Sequence, residues 1–273
     1  NILRGALERF SQAYPVARDK AYQGLDFEEL RNKVQEVKTY AADHIDEMID
    51  QFEKNATARG AKVFRAANAK EANDYVRKLA KEKNVKKVVK SKSMASEEIM
   101  LNEALREDGA EVQETDLGEF IIALAGHTPS HMVLPAIHLT KEQVADLFTN
   151  YTSEKNDPII AKLVGTAREV MRQKFIEADL GISGANIAVA ETGTLIMLTN
   201  EGNGRLTSTI PSTQVFIVGI EKFVPKFKDA SYILKTLPRN GTGQNITTYV
   251  SMYTGVNEAY LPDGTKGPKD IHI

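Results

Sequence analysis

Four polar segments of the chain carry side chains whose type and spacing could do chemistry. Lys90, Ser91, Lys92 and Ser93 follow an apolar run and precede a helical pattern. Free backbone N–H groups at a helix start attract anions, and two lysines add charge, so one reading is a phosphate or carboxylate site. The other is a solvated loop in which a serine caps the helix. Glu114, Asp116 and Glu119 then place three carboxylates within six residues. Such crowding raises a pKa or takes a divalent cation, unless the acids serve only as favourable charges at a helix start. In GHTPSHMVLPAIH (126–138), His127, His131 and His138 are three of the five histidines. Pro129 separates the first two, so the helical i,i+4 geometry of a zinc motif is not available and no metal site is expected. His131 and His138 are candidates for binding a substrate or moving a proton, with a structural role as the alternative.

The richest segment is AETGTLIMLTNEGNGRLTST (190–209). Glu191 falls in a tight turn with Thr192, Gly193 and Thr194 and is the candidate catalytic carboxylate. Asn200, Glu201, Gly202, Asn203 and Arg205 follow the next apolar run. Glycines let backbone approach a ligand, Asn and Glu orient hydroxyls, and arginine clamps a carboxylate or phosphate. A hairpin followed by a glycine-rich turn is the plain alternative. The order of residues is not that of a P-loop, and with no helix predicted after it the segment is not a dinucleotide fingerprint. Ser183 in GISG lacks the surroundings of a nucleophile elbow.

These loops need elements to hold them. Asp26 and Glu29 mark a helix start, and Phe27, Leu30, Val34, Val37, Ala41, Ile45, Met48 and Phe52 form one stripe. Residues 1–58 are therefore expected to form a long helical N-terminal arm, folded on its own domain or packed on a partner. From residue 59 strands and helices alternate: strands at 61–66, 85–90, 111–115 and 131–134, and helices at 69–83, 97–107 and 117–125. A helix capped by Thr140 and Gln143 follows, then one from Asp157 to about Ala178 ending at Asp179 and Gly181. Strands at 185–190, 194–199, 214–219 and 246–252 flank a helix at 228–236, and the short ETG turn predicts a hairpin. The pattern implies an α/β domain over 59–256, a three-layer mostly parallel open sheet with helices on both faces. Ligands of such sheets bind outside the carboxyl ends of the strands. Residues 257–273 read as a linker toward a further module.

Composition narrows the chemistry. Of 273 residues 42% are hydrophobic and 26% charged, with a formal net charge of −2, so neither nucleic-acid nor anionic-membrane binding is expected. There is no membrane span in the sequence. Cysteine is absent, which removes disulfides, thiol nucleophiles and the usual iron–sulfur ligands from this chain and fits a cytoplasmic setting.

Five segments taken together resemble the LutB-type lactate utilisation proteins: VVKSKSMASEEIMLNEAL, ETDLGEFIIALAG, PSHMVLPAIH, ADLGISGANIAVAETGTLIMLTNEGNGRL and GIEKFVP. The resemblance runs from about Asp26 to Val256. It implies a LUD domain, of the superfamily that holds ribose-5-phosphate isomerase, glucosamine-6-phosphate deaminase and the CoA transferases. It also implies a part in oxidising L-lactate to pyruvate, beside a cysteine-rich iron–sulfur subunit and a second LUD-type subunit. The [4Fe-4S] clusters are then expected in a C-terminal module or partner, and a small carboxylate or phosphate as ligand. The AETG turn is similar to the S-E-N-G turn of some CoA transferases, whose glutamate forms an acyl-enzyme, and departs from it at two of four positions. Two other functions compete: a free-standing enzyme on sugar phosphates or acyl-CoA using Glu191, and a non-catalytic metabolite sensor.

Overall fold

The computed structural model describes residues 2–130, 134–256, 259–260, 266–267 and 270–273. The helical start comprises α1 (Ile2–Ala21), α2 (Phe27–Asp43) and α3 (Ile45–Thr57). Asp26 caps α2 by accepting from Glu29 N at 3.0 Å, as its spacing predicts. The expected long helix divides at His44, whose φ of −124° is not helical. The stripe still works as one surface: Leu30, Val37 and Ala41 are buried from α2, and Met48, Phe52 and Ala56 from α3.

The central sheet is assembled from α4 (Ala69–Glu82), β1 (Lys87–Lys90), α5 (Met94–Glu98), α6 (Leu101–Glu107), β2 (Glu111–Glu114), α7 (Leu117–Ala125), α8 (Lys141–Thr152), α9 (Ile160–Glu177) and β3 (Leu180–Gly184). A hairpin of β4 (Ile187–Val189) and β5 (Thr194–Thr199) follows, then α10 (Asn203–Thr209) and β6 (Thr213–Ile217). After a 3-10 turn come β7 (Phe223–Val224), α11 (Phe227–Thr242), β8 (Tyr249–Tyr253), the short pair β9 (Ala259–Tyr260) and β10 (Lys266–Gly267), and β11 (Asp270–His272).

Five strands form a parallel sheet in the order β11-β6-β3-β1-β2. Counted along the chain from the β2 edge, that order is 2-1-3-4-5, so the winding reverses between β1 and β3. On one face, Val76 and Leu79 of α4 and Leu101 and Leu105 of α6 pack on Val88, Leu180 and Ile182. On the other, α7, α8 and α9 bury Phe120, Phe148, Leu163 and Phe175 around Val89. Beside them a second, mixed sheet in the order β7-β4-β5-β8 packs through Ala188, Leu195 and Phe223, with Phe52 of α3, against Phe216 and Ile271 of the first sheet. Its outer face is covered by α2 and α11 through Val37, Ala230 and Ile233.

Several elements differ from expectation. Leu180–Gly184 is a strand between β1 and β6, not the end of a helix. Its Gly181 has no room for a side chain, because the Thr207 carbonyl and the Gln214 amide close over it. Asn203–Thr209 is helical where no helix was predicted. The helix expected over 97–107 breaks at Met100, which takes a left-handed φ of 56°. The segment expected as a strand over 61–66 makes only a bridge, from Lys62 to His272. Residues 270–272, expected in a linker, form the edge strand of the parallel sheet, with Ile271 buried. The strand expected at 131–134 lies, for 131–133, outside the described residues.

Candidate functional site

The carboxyl ends of β1, β2 and β3 meet at the reversal of winding, where open α/β sheets bind ligands. Lys90 ends β1 and is fully buried. Its register partner on β2 is Glu114, and Lys90 Nζ donates to Glu114 Oε1 at 2.8 Å. Asn102 Nδ2 of α6 donates to the same oxygen at 2.7 Å. Glu114 Oε2 and Asn102 Oδ1 are buried with no hydrogen-bond partner among the described residues. Two residues further on, Lys92 Nζ lies 2.9 Å from Glu119 Oε1.

A layer of hydroxyls floors this cluster. Ser91 Oγ donates to Ser183 Oγ at 3.0 Å, and Ser183 Oγ is 3.4 Å from Ser208 Oγ of α10. Thr115 Oγ1 donates to the Lys90 carbonyl at 2.9 Å and lies 3.3 Å from Thr207 Oγ1. Ser93 caps α5, accepting from Ser96 N at 3.3 Å, and its side chain fills the space that a Cβ on Gly184 would need. Ser93 is thus occupied in closing the helix start.

The charges are arranged in pairs. Both lysines of the loop already face a glutamate, so the segment is not an open anion cradle; an incoming anion must share or displace a carboxylate. Burial raises the Glu97 carboxyl above its ordinary value; Lys90 pulls it back, and Glu119 and Glu114 push it up again. Nearby, Asp116 accepts from Glu119 N at 3.1 Å and caps α7. Glu201 faces Asp116 and the start of α7, and desolvation of its carboxyl followed by repulsion from Asp116 raises its pKa. Burial likewise raises the Tyr253 phenol, against the pull of Ser208, Ser251 and Arg205. The Arg205 guanidinium lies over the Tyr249 ring, 4.9 Å from its centre.

The loops marked in the sequence therefore do not all converge. Lys90–Ser93, Asp116 and Glu201 share one neighbourhood. Gly202 and Asn203 open α10, and Asn200 is turned to Gln244, at 2.9 Å, and Thr248. Glu191 and Thr192–Thr194 sit at the opposite end of β5, about 17 Å along the strand at some 3.3 Å per residue. There Glu191 is exposed and its Oε2 accepts from Phe227 N at 2.9 Å, at the start of α11. Thr192 Oγ1 donates to Thr194 Oγ1 at 2.8 Å, which pairs with Thr254, and Gly193 packs on the backbone of Ala56 with a φ of 65°. His138 belongs to a third group, with Nδ1 2.7 Å from Ser130 Oγ and Nε2 3.0 Å from His127 Nδ1. His131 lies outside the described residues. Among the described residues no cluster of three His, Cys, Asp or Glu side chains could hold a metal ion. Sequence reasoning missed Glu97, Asn102 and Ser208, and weighed Ser183 only as a nucleophile; of the missed residues only Glu97, one helical turn past Ser93, carried a local signal.

A family model described as the LUD domain matches residues 49–273. The chain belongs to the LUD domain family. Lactate utilization protein B of Bacillus licheniformis is 42% identical over 274 residues, and that of Bacillus velezensis 41%; each alignment covers 100% of this chain and 57% of the relative. The chain thus spans little more than half the length of these relatives. A crystal structure of a DUF162 family protein from Deinococcus radiodurans is 17% identical, with a TM-score of 0.42 over 84% of this chain and 95% of that one. In this LUD domain no helix among the described residues is long and apolar enough to cross a membrane.

Proposed function

We propose that this LUD domain works in a lactate utilisation system that oxidises L-lactate to pyruvate, and that it binds a small carboxylate at the β1/β3 junction. In this reading electrons travel through [4Fe-4S] clusters held by a cysteine-rich module or subunit, since this chain has no cysteine. A second LUD-type subunit completes the assembly. The names and identities of the relatives support the process. One observation carries the ligand: Lys90 is a fully buried ammonium whose single acceptor, among the described residues, is one oxygen of Glu114. An ammonium has three donors, and two remain to receive a carboxylate. Lys92 offers a second cation once Glu119 is displaced, and the hydroxyls of Ser91 and Ser183 lie alongside.

The reading is tested by thermal and chemical denaturation of the chain with L-lactate, pyruvate, acetate and inorganic phosphate. A specific carboxylate at about 100 times its Kd should add about 2.7 kcal/mol of stability. Lys90→Met paired with Glu114→Leu, which keeps the site neutral, should abolish that gain, and Lys92→Gln should reduce it. Stabilisation by no carboxylate, or stabilisation unchanged in the double variant, would overturn the ligand assignment. The assembly is tested separately, by co-purification of the longer protein with cysteine-rich partners.

A further inference from the structure

A cavity opens at the far end of the same carboxyl edge, beyond β6 and β11. It encloses about 250 Å³ between α3, α4 and the ends of those strands. Phe52, Val76, Val215 and Phe216 line its inner part. Phe64 and Tyr75 line another side, their rings stacked face to face at 4.3 Å and 10°. At the mouth Phe64 and Ile220 remain 40% and 62% exposed, so apolar surface is presented to solvent there.

The polar groups of the wall lie close together, although His272 Nε2 is buried without a hydrogen-bond partner among the described residues. Tyr75 Oη lies 2.7 Å from His272 Nδ1. His272 Nε2 lies 3.3 Å from Asp270 Oδ1, and Asp270 is held by Lys62 at 2.8 Å and Lys83 at 2.6 Å. Burial keeps the His272 imidazole below its ordinary pKa, against the pull of Asp270. Whichever of the two carries the proton in the Tyr75–His272 bond, the phenolic oxygen of Tyr75, a residue of the lining, keeps a further lone pair as an acceptor. Arg65, at the rim, is taken by Asp50 and Glu53, each at 2.7 Å. No unpaired charge remains in the wall among the described residues.

We propose that this cavity is a ligand site of its own, taking a neutral, planar, bicyclic ring that bears one N–H or O–H donor. Size, shape and polarity each select part of that description. An apolar cavity of about 150 Å³ holds benzene, and this one is larger. The stacked pair favours a flat partner. The spare acceptor on Tyr75 favours a donor, and a carboxylate would lose its hydration without finding a cation.

The chain has no tryptophan, so the fluorescence of indole can be followed directly as it binds. Indole should bind saturably, 1-methylindole about tenfold more weakly because it lacks the donor, and indole-2-carboxylate not measurably. Ala72→Phe, which fills the cavity from α4, should abolish indole binding while the circular dichroism stays native. Should that variant unfold, Tyr75→Phe decides: it should bring indole down to the affinity of 1-methylindole. The proposal is overturned if indole does not saturate, if indole and 1-methylindole bind alike, if the charged indole binds as well as the neutral one, or if the folded variants bind indole as before.

Discussion

Lys90 and Glu114 set the energetics at the scale of single residues. A buried ion pair contributes little net stability, yet removing one partner strands a charge and costs about 3–5 kcal/mol. Lys90→Met should cost that much in urea denaturation, and the double change with Glu114→Leu markedly less, giving a large coupling in the mutant cycle. Equal losses in single and double variants would show that the pair does not act as a unit. Glu97 gives a second expectation, with a sign set by its raised pKa. A carboxyl whose folded pKa lies above its unfolded value favours the fold when protonated, and that contribution is lost as pH rises through the folded value. At pH 7 Glu97 is therefore a liability to the fold. Glu97→Gln should raise Tm at neutral pH, with the gain shrinking as pH falls toward the ordinary value of 4.5. Thermal melts across pH check it; a lower Tm at neutral pH would contradict it. The sequence marked Lys90 and Lys92 as functional cations, but their carboxylates lie 24 and 27 positions away. Only the parallel pairing of β1 with β2 brings them together, and no local pattern encodes it.

At the scale of elements, the turn between β4 and β5 is a structural joint. Asn55 of α3 donates to the carbonyls of Ala190 and Glu191, each at 3.0 Å, and Gly193 leaves no space for a Cβ beside Ala56. Gly193→Ala combines a left-handed φ with a clash against helix backbone and should cost about 2–4 kcal/mol. Glu191→Gln keeps an oxygen to cap α11 and should cost less than about 1 kcal/mol. Equilibrium denaturation of both separates the joint from the side chain that decorates it; a large loss on Glu191→Gln would reverse that ranking. Elements with strong local signals were readable here: Asp26 and Glu29, and the Thr140–Gln143 box that caps α8. β3 was not, because LGISG has the glycines of a helix end. Those glycines answer tertiary demands: Gly181 lets α10 pass directly over the strand, and Gly184 makes room for Ser93. α10 was overlooked for a similar reason: Gly204 is needed where Met197 and Thr199 of β5 press on the helix, and NGR reads locally as a turn.

Across the whole molecule, the last strand decides how the sheet closes. β11 pairs with β6, and the bridge at Lys62 extends the ladder by one more segment. Asp270 joins three parts of the chain there, since Lys62 precedes α4, Lys83 ends it, and His272 follows on β11. Burial alone would raise the Asp270 carboxyl, but Lys62, Lys83 and His272 together outweigh it and hold it well below the ordinary carboxylate range. For a group lowered in this way, the stabilising contribution is complete above the unfolded value near 3.8 and is lost as pH falls through the folded value. Asp270→Asn should therefore lower Tm at neutral pH, and the gap from the parent should narrow below about pH 4 as the unfolded parent takes up its proton. The loss should also appear as faster hydrogen exchange along β11 and the 62–64 segment, because the charge cluster anchors the edge rather than the centre. Asp270→Asn melting with the parent at every pH would mean that β11 is held by Ile271 and the ladder alone, and the ion cluster would then be a surface ornament of an edge already closed by its core.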